Sequence, residues 1–145
     1  MKEPTRKRAT KRILVVEDDP ETVLLLWQFL TDKGYRVLRA ENGLEGISKA
    51  RRHRPHLIIL DLLMPGMHGF EICRTLRADD KLKDVRIIVA SGKRYQVDFR
   101  AVNRLGANMF VPKPYDGPKI LEAVVAMIGH PSDPLPLTHS TLGPG

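Results

Sequence analysis

Residues 57–61 read Leu57-Ile58-Ile59-Leu60-Asp61, and residues 13–18 read Ile13-Leu14-Val15-Val16-Glu17-Asp18. In both stretches an uninterrupted apolar run ends in a carboxylate. A strand with one face in water alternates apolar and polar residues, whereas a strand covered on both faces is apolar throughout. The two stretches therefore predict central strands of a parallel sheet, with helices packed on both sides.

These two strands belong to a series in which apolar runs alternate with segments of helical character. The apolar runs are residues 13–16, 35–38, 56–60, 85–90 and 107–111. The first helical segment begins at Asp19 and Pro20, and the second begins at the capping sequence Asn42-Gly43-Leu44-Glu45. The third spans about 70–77, the fourth spans about 96–105, and the fifth runs from Asp116 and Pro118 to Ile128. Five strand–helix repeats predict an α/β fold with a doubly wound, five-stranded parallel sheet and five helices.

Length and composition restrict the class of protein. The chain has 145 residues, 42% of them hydrophobic and 28% charged, which is typical of one globular domain. It has no apolar run near the roughly 18 residues of a membrane span, and its basic N-terminus is unlike a secretory signal. A single cysteine, Cys73, excludes an internal disulfide and a cysteine-based zinc site. We therefore expect a cytoplasmic protein without membrane insertion.

The net charge of +7 is concentrated at the start of the chain. Residues 1–12 carry a net charge of +5, residues 13–128 carry +3, and residues 129–145 carry −1. We predict a basic, disordered arm over 1–12, one domain over 13–128, and a proline-rich, flexible tail over 129–145. Because the arm lacks interleaved aromatic residues, we expect no specific nucleic-acid binding. Transient, salt-dependent contact with nucleic acid or an acidic surface is the alternative for the arm.

Polar side chains follow four of the five predicted strands. They are Glu17, Asp18 and Asp19 after the first, Asp61 after the third, Ser91 after the fourth and Lys113 after the fifth. The carboxyl ends of parallel strands meet at one edge of the sheet, where ligands of open α/β sheets bind. Crowded carboxylates need a cation among them, and oxygen ligands alone suit Mg²⁺. The pattern predicts a Mg²⁺-dependent phosphoryl acceptor, in which Asp61 is the nucleophile, Lys113 neutralises phosphoryl oxygens and Ser91 donates a hydrogen bond.

Four motifs, in order and at helix-length spacing, resemble the receiver domain of response regulators in two-component signalling. They are ILVVEDDP at 13–20, LIILDLLMPGMHGFE at 57–71, IIVASG at 87–92 and GANMFVPKPY at 106–115. The resemblance covers about residues 12–128, and the chain is similar to single-domain receivers of the chemotaxis-regulator type. The resemblance implies a flavodoxin-like sheet with strand order 2-1-3-4-5.

The resemblance also implies the parts of a magnesium site. Asp61 matches the aspartate that is phosphorylated and that binds Mg²⁺. Asp18 matches a direct metal ligand, and Glu17 an acid that acts mainly through water, although Asp is commoner at that position. Leu63 matches the residue that contributes its backbone carbonyl to the metal.

The remaining matches concern the phosphoryl group and the switch. Ser91 matches the hydroxyl residue that contacts the phosphoryl group, and Lys113 matches the family's lysine. Phe110 matches the aromatic residue that changes rotamer when Ser91 moves toward the phosphate, so Ser91 and Phe110 form the expected switch. Pro114 matches a proline preceded by a cis peptide bond. Pro112 removes a backbone donor from strand five, which is tolerable only at a sheet edge.

We therefore predict a phosphoacceptor response regulator, a signalling switch that catalyses only its own phosphotransfer and dephosphorylation. Asp61 accepts a phosphoryl group from a sensor histidine kinase or a histidine phosphotransfer protein. The face built from predicted helix four, strand five and helix five then controls a downstream protein partner whose identity is unknown.

Three alternatives are weighed against this prediction. The first alternative is a phosphorylation-independent interaction module with the receiver fold, and the second is a receiver fragment of a longer regulator. The third alternative is a dehalogenase-like phosphatase, whose first motif has a second Asp two residues after the nucleophile. Leu63 occupies that position here and argues against it.

Overall fold

A computed structural model describes residues 10–62, 69–92, 103–104 and 106–132. Strands and helices alternate along these residues. In chain order they are β1 (Arg12–Val16), α1 (Pro20–Asp32), β2 (Arg36–Ala40), α2 (Gly43–His53), β3 (Leu57–Asp61), α3 (Gly69–Ala78), β4 (Arg86–Ser91), β5 (Met109–Pro112) and α4 (Gly117–Ile128). Each strand begins and ends within two residues of its predicted limits.

The strands form one parallel sheet in the order β2-β1-β3-β4-β5, which confirms the predicted topology. β3 lies at the centre and is buried along its whole length, as its unbroken apolar sequence predicts. β5 lies at an edge, where a proline is tolerated, and the N–H of Lys113 donates to the oxygen of Ser91, which is paired with Pro112.

Two hydrophobic cores cover the two faces of the sheet, because alternate residues of each strand point to opposite sides. On one face Leu14, Ile58 and Ile87 pack against α2 and α3. On the other face Ile13, Ile59 and Ile88 pack against α1 and α4. The helices on both faces make the fold doubly wound and leave the carboxyl edge of the sheet for the polar residues.

Side-chain caps begin two helices as the sequence predicts. Asp19 accepts a hydrogen bond from the backbone N–H of Thr22 at the start of α1, and Asn42 accepts one from Glu45 at the start of α2. Asp116 occupies the corresponding position before α4, but its side chain makes no capping hydrogen bond. Pro at the start of α1 and of α4 fixes the helical φ angle there.

The predicted fifth helix is the α4 described above, and the predicted fourth helix falls almost entirely outside the described residues. Its two described residues, Asn103 and Arg104, have helical backbone. Within the part of the chain that the structure covers, no helix is long and apolar enough to cross a membrane.

The folded part of the chain extends further toward both termini than the sequence indicates. Arg12 is the first residue of β1, and Lys11 is 4% exposed, although both were assigned to the basic arm. The Lys11 ammonium donates to the backbone oxygens of Ile128 (2.6 Å) and His130 (2.8 Å), at the end of α4. Tyr35 donates its hydroxyl proton to the oxygen of Gly129 at 2.6 Å. Residues 11, 12, 129 and 130 therefore belong to the folded domain, because tertiary contacts hold them.

Candidate functional site

The carboxyl edge of the sheet brings together the acidic residues that follow β1 and end β3. Glu17 comes directly after β1, and its backbone N–H donates to the oxygen of Ala40, which fixes it beside β2. Asp61 is the last residue of β3, the neighbouring strand. Glu17 and Asp61 are 1% and 5% exposed, whereas Asp18 is exposed to solvent. Two buried carboxylates and one accessible carboxylate thus share this edge.

The three carboxylates are close enough to bind one ion. One oxygen from each of Glu17, Asp18 and Asp61 lies within 4.8 Å of the others. Lys113, which follows β5, is the cation beside them: its ammonium lies 2.9 Å from Glu17 Oε1 and 3.4 Å from Asp61 Oδ2. Among the described residues of the site, three carboxylates therefore lie close to one ammonium group.

The electrostatics of the site follow from burial and crowding. Burial raises the pKa of Glu17, the hydrogen bond from Lys113 acts against this, and the negative charge of Asp61 adds to the rise. Burial alone would lower the pKa of Lys113, but its contacts with Glu17 and Asp61 outweigh burial, and the pKa is raised. Lys113 is thus held fully protonated, while ionised Glu17 is destabilised by its surroundings.

A buried hydroxyl lies next to this cluster. Ser91 ends β4, is fully buried, and its Oγ has no hydrogen-bond partner among the described residues. Its backbone oxygen accepts a hydrogen bond of 2.7 Å from the N–H of Lys113, which ties the two positions together. A buried hydroxyl without a partner costs free energy, so it marks a place where a ligand oxygen would be favourable.

Phe110 and Pro114 flank the site on β5 and after it. Phe110 is partly buried and packs against the core on the α2–α3 face. It pairs in register with Val89 of β4, two positions before the Ser91–Pro112 pair. The Lys113–Pro114 peptide bond is cis, as the resemblance to receiver domains implies.

Two residues contribute to the site in ways that the sequence did not predict. Asp19 was predicted as a helix cap and as an acid at this edge, and its backbone N–H also donates to Glu17 Oε2 at 3.2 Å. Tyr115 follows the cis proline, and burial together with the charges of Glu17 and Asp61 raises its pKa. The Asp19 contact is local, between residues two positions apart. No sequence signal places Tyr115 near the acids, because this depends on how the loops after β1 and β5 approach each other. Of the predicted site residues, Leu63 lies outside the described residues.

The donor set fits Mg²⁺. All the ligand candidates are carboxylate oxygens, which is the donor type that Mg²⁺ prefers over nitrogen or sulfur donors. The pair of buried acids with a single Lys113 counter-charge leaves net negative charge that a divalent cation would neutralise. The exposed Asp18 leaves room for metal-bound water on the solvent side.

Comparison with known proteins agrees with this geometry. Residues 13–125 match the family of the response regulator receiver domain. The chain is 33% identical over 117 residues to Protein PilH of Pseudomonas aeruginosa, a match that covers 81% of this chain and 97% of that protein.

Two solved structures are similar in fold and sequence. One is the chemotaxis protein CheY4 of Vibrio cholerae, with a TM-score of 0.76 and 26% identity over 83% of this chain and 100% of that chain. The other is the receiver domain of a Pseudomonas aeruginosa sensor histidine kinase with a magnesium ion coordinated in its active site cleft, with a TM-score of 0.74 and 27% identity over 82% of this chain and 98% of that chain. On the match of 113 consecutive residues and on these likenesses, the chain belongs to the response regulator receiver domain family of two-component signalling.

Proposed function

We propose that this chain is a phosphoacceptor response regulator in which Asp61 is the residue that becomes phosphorylated. The observation that carries the proposal is the cluster of Glu17, Asp18 and Asp61 within 4.8 Å, with Lys113 against two of them. Receiver domains are signalling switches, and here the group that changes is the buried carboxylate at the end of β3. The receiver domain is assigned to residues 13–128, extended by the anchored residues 11, 12, 129 and 130.

The phosphoryl donor is a phosphohistidine on a sensor histidine kinase or a histidine phosphotransfer protein. A carboxylate oxygen of Asp61 forms the new bond to phosphorus while the bond between phosphorus and the histidine nitrogen breaks, and the imidazole leaves. The product is an acyl phosphate on Asp61. Lys113, already 3.4 Å from Asp61 Oδ2, balances the charge on the phosphoryl oxygens. Hydrolysis of this acyl phosphate by water resets the switch.

Glu17, Asp18, Asp61 and the backbone carbonyl of Leu63 are the groups that would hold Mg²⁺. The bound ion supplies positive charge that offsets the repulsion between a carboxylate nucleophile and an anionic phosphoryl group. Glu17 is positioned by Lys113 and by the N–H of Asp19, so its own geometry is set before any metal binds.

The switch begins at Ser91. Its unpartnered hydroxyl donates a hydrogen bond to a phosphoryl oxygen on Asp61, which removes the cost of leaving that hydroxyl unsatisfied. Movement of Ser91 toward the phosphoryl group allows Phe110 to change rotamer. The face formed by the predicted helix over about 96–105, β5 and α4 then changes its affinity for a downstream partner protein. All of these partners are expected in the cytoplasm.

Intact-protein mass spectrometry after incubation with acetyl phosphate tests this proposal. We expect the mass of one phosphoryl group to be gained with Mg²⁺, and the gain to be lost on removal of Mg²⁺ with EDTA and in Asp61→Asn. Asp80→Asn, which changes an exposed carboxylate away from the site, is the matched control and should be phosphorylated normally. Circular dichroism should show both variants folded.

Phosphorylation of folded Asp61→Asn would contradict the site assignment. The unchanged protein could also fail to gain the mass of a phosphoryl group, both with acetyl phosphate and with a panel of phosphorylated histidine phosphotransfer proteins. That result would favour a phosphorylation-independent interaction module.

A further inference from the structure

A cationic groove lies at the amino edge of the sheet, at the opposite end of β3 and β4 from Asp61. The loop after α2, the loop before β4 and the last turn of α4 enclose a cavity of about 230 Å³. Because β3 and β4 are five and six residues long, the groove and the acidic cluster are separated by about 15 to 20 Å. The groove is therefore a separate site from the proposed phosphoacceptor, and its function does not depend on that proposal.

The groove combines an apolar floor with a cationic rim. The buried side chains of Leu82, Val85 and Ile128 contribute to the floor. Arg54, Lys81 and Arg86 line the same cavity, and Asp84 is the one acid in its lining, so the lining has a net charge of +2. Across the described residues, none of the three cations forms an ion pair. Three like charges at one cavity repel one another, and an anion bound among them would relieve this repulsion.

Arg54 occupies a backbone conformation that disfavours its side chain. It caps the end of α2 with φ of 48°, in the left-handed region where glycine is the usual residue. Arg54 is exposed and lines the groove. A non-glycine residue in this conformation marks the position as a candidate for function.

His56 lines the groove and would respond to an anion bound there. Its Nδ1 accepts a hydrogen bond of 3.0 Å from the backbone N–H of Arg12, so Nε2 carries the proton of the neutral ring. Burial lowers the pKa of His56, and the charges of Arg12 and Lys11 lower it further. An anion bound beside it would oppose those charges and raise this pKa.

We infer that the groove binds a phosphate monoester of a small, ring-bearing molecule, of the class of a nucleoside monophosphate. A phosphate monoester carries a charge of about −1.5 to −2 at neutral pH, which matches the +2 of the lining, whereas a single carboxylate does not. Two of the lining residues, Arg54 and Arg86, are arginines, whose guanidinium groups carry paired donors that suit phosphate oxygens. The apolar floor provides the surface on which a ring packs.

The test is a titration of the 145-residue chain without Mg²⁺, followed by NMR on the methyl groups of Val85 and Met127 and on the His56 ring. The probes are adenosine 5′-monophosphate, inorganic phosphate, adenosine and a phosphoserine peptide. We expect saturable shifts at these groups with adenosine 5′-monophosphate, binding at least about tenfold weaker with phosphate or adenosine alone, and a higher His56 pKa in the complex.

Variants locate the site. Arg54→Gly keeps a residue suited to the left-handed conformation, and Arg86→Gln keeps a polar side chain at the start of β4. Each should weaken the binding of adenosine 5′-monophosphate about tenfold. Arg39→Gln, an exposed position on β2 that is paired with Glu41, is the matched control and should leave binding unchanged.

Three results would overturn the inference. They are no saturable shift at the groove with adenosine 5′-monophosphate, equal binding of inorganic phosphate, and equal loss of binding in Arg39→Gln. In the first of these cases, binding of the phosphoserine peptide would instead indicate docking of a phosphorylated protein.

Discussion

At the residue scale, burial of Glu17 changes the pKa of its carboxyl group and with it the stability of the protein. Its carboxylate is almost completely buried, and burial raises its pKa from the ordinary value of 4.5. A raised acid pKa contributes stability that is fully present below pH 4.5 and is lost as the pH rises through the raised value. At neutral pH the ionised carboxylate therefore costs the metal-free protein stability, which is a cost typical of functional sites.

We predict that Glu17→Gln stabilises the metal-free protein at pH 7 by on the order of 1 kcal/mol, or roughly 3 to 6 °C in Tm. Lys113 donates to Glu17 Oε1 and the N–H of Asp19 donates to Glu17 Oε2, so the single amide oxygen of Gln keeps one of these contacts. We expect removal of the buried charge to outweigh the loss of the other contact. Thermal unfolding should show the gain at pH 7 and its disappearance below pH 4.5, where Glu17 is itself neutral. The rise in Tm on adding Mg²⁺ should be smaller in the variant. A lower Tm in Glu17→Gln would show that the ion pair with Lys113 stabilises the protein by more than burial of the charge destabilises it.

Ser91 is a second residue whose side chain serves the proposed function but lowers the stability of the unphosphorylated protein. Its buried hydroxyl lacks a partner in the described structure, so Ser91→Ala should raise the free energy of unfolding by about 1 kcal/mol in the unphosphorylated protein. The same change removes the donor to the phosphoryl group, so the backbone shifts of β5 on treatment with beryllofluoride should shrink. Ser48→Ala, at an exposed position of α2, is the control and should change neither quantity. Full β5 shifts in Ser91→Ala would contradict the switch role.

At the scale of elements, Arg77 connects α3 to the segments before β4 and β5. Its guanidinium donates to the backbone oxygens of Val85 at 2.6 Å, Lys83 at 2.9 Å and Gly106 at 2.7 Å, and to Asn108 Oδ1 at 3.1 Å. Gly106 has φ of 102°, and a Cβ there would lie 2.6 Å from Arg77 Cγ. The close approach fixes the turn where the predicted fourth helix ends.

We predict that Arg77→Met destabilises the protein by about 3 kcal/mol, because several partly buried carbonyl oxygens lose a charged donor while the apolar stem is kept. Urea unfolding measures the change. Arg74→Met, on the exposed side of the same helix, is the matched control and should change stability by less than about 0.5 kcal/mol. Equal effects of the two substitutions would mean that the network contributes little.

At the scale of the whole molecule, the two ends of the domain are tied together by Lys11. Its ammonium donates to the backbone oxygens of Ile128 and His130, at the end of α4. A cation at a helix C-terminus satisfies free carbonyl groups and interacts favourably with the helix dipole. The contact spans 117 positions of sequence between Lys11 and Ile128.

We predict that Lys11→Met lowers the free energy of unfolding by about 2 kcal/mol, since two carbonyl oxygens lose a charged donor. Hydrogen exchange should become faster in the last turn of α4, where the contact is lost. Lys119→Met, an exposed position near the start of α4, is the control and should leave both measurements unchanged. Unchanged protection of the α4 C-terminus in Lys11→Met would contradict the proposed anchoring.

The strands and the sheet edge that carries the site followed from local sequence rules, whereas the strand order followed from the resemblance to receiver domains. Apolar runs such as Leu57–Leu60 identify strands covered on both faces, and the carboxyl ends of parallel strands must share one edge. The residues that gather there, Glu17, Asp18, Asp61, Ser91 and Lys113, were therefore predictable as a group, with the resemblance to receiver domains supplying their expected roles.

Contacts between segments distant in sequence were decided only by the tertiary structure. Lys11 looked like part of a basic arm, but its burial depends on where α4 ends, and no local pattern contains that information. The groove around Arg54 and Arg86 likewise forms from three loops that meet at the amino edge of the sheet. Periodicity and capping act over a few residues, whereas burial, ion pairing and pKa shifts depend on which distant groups the fold places side by side.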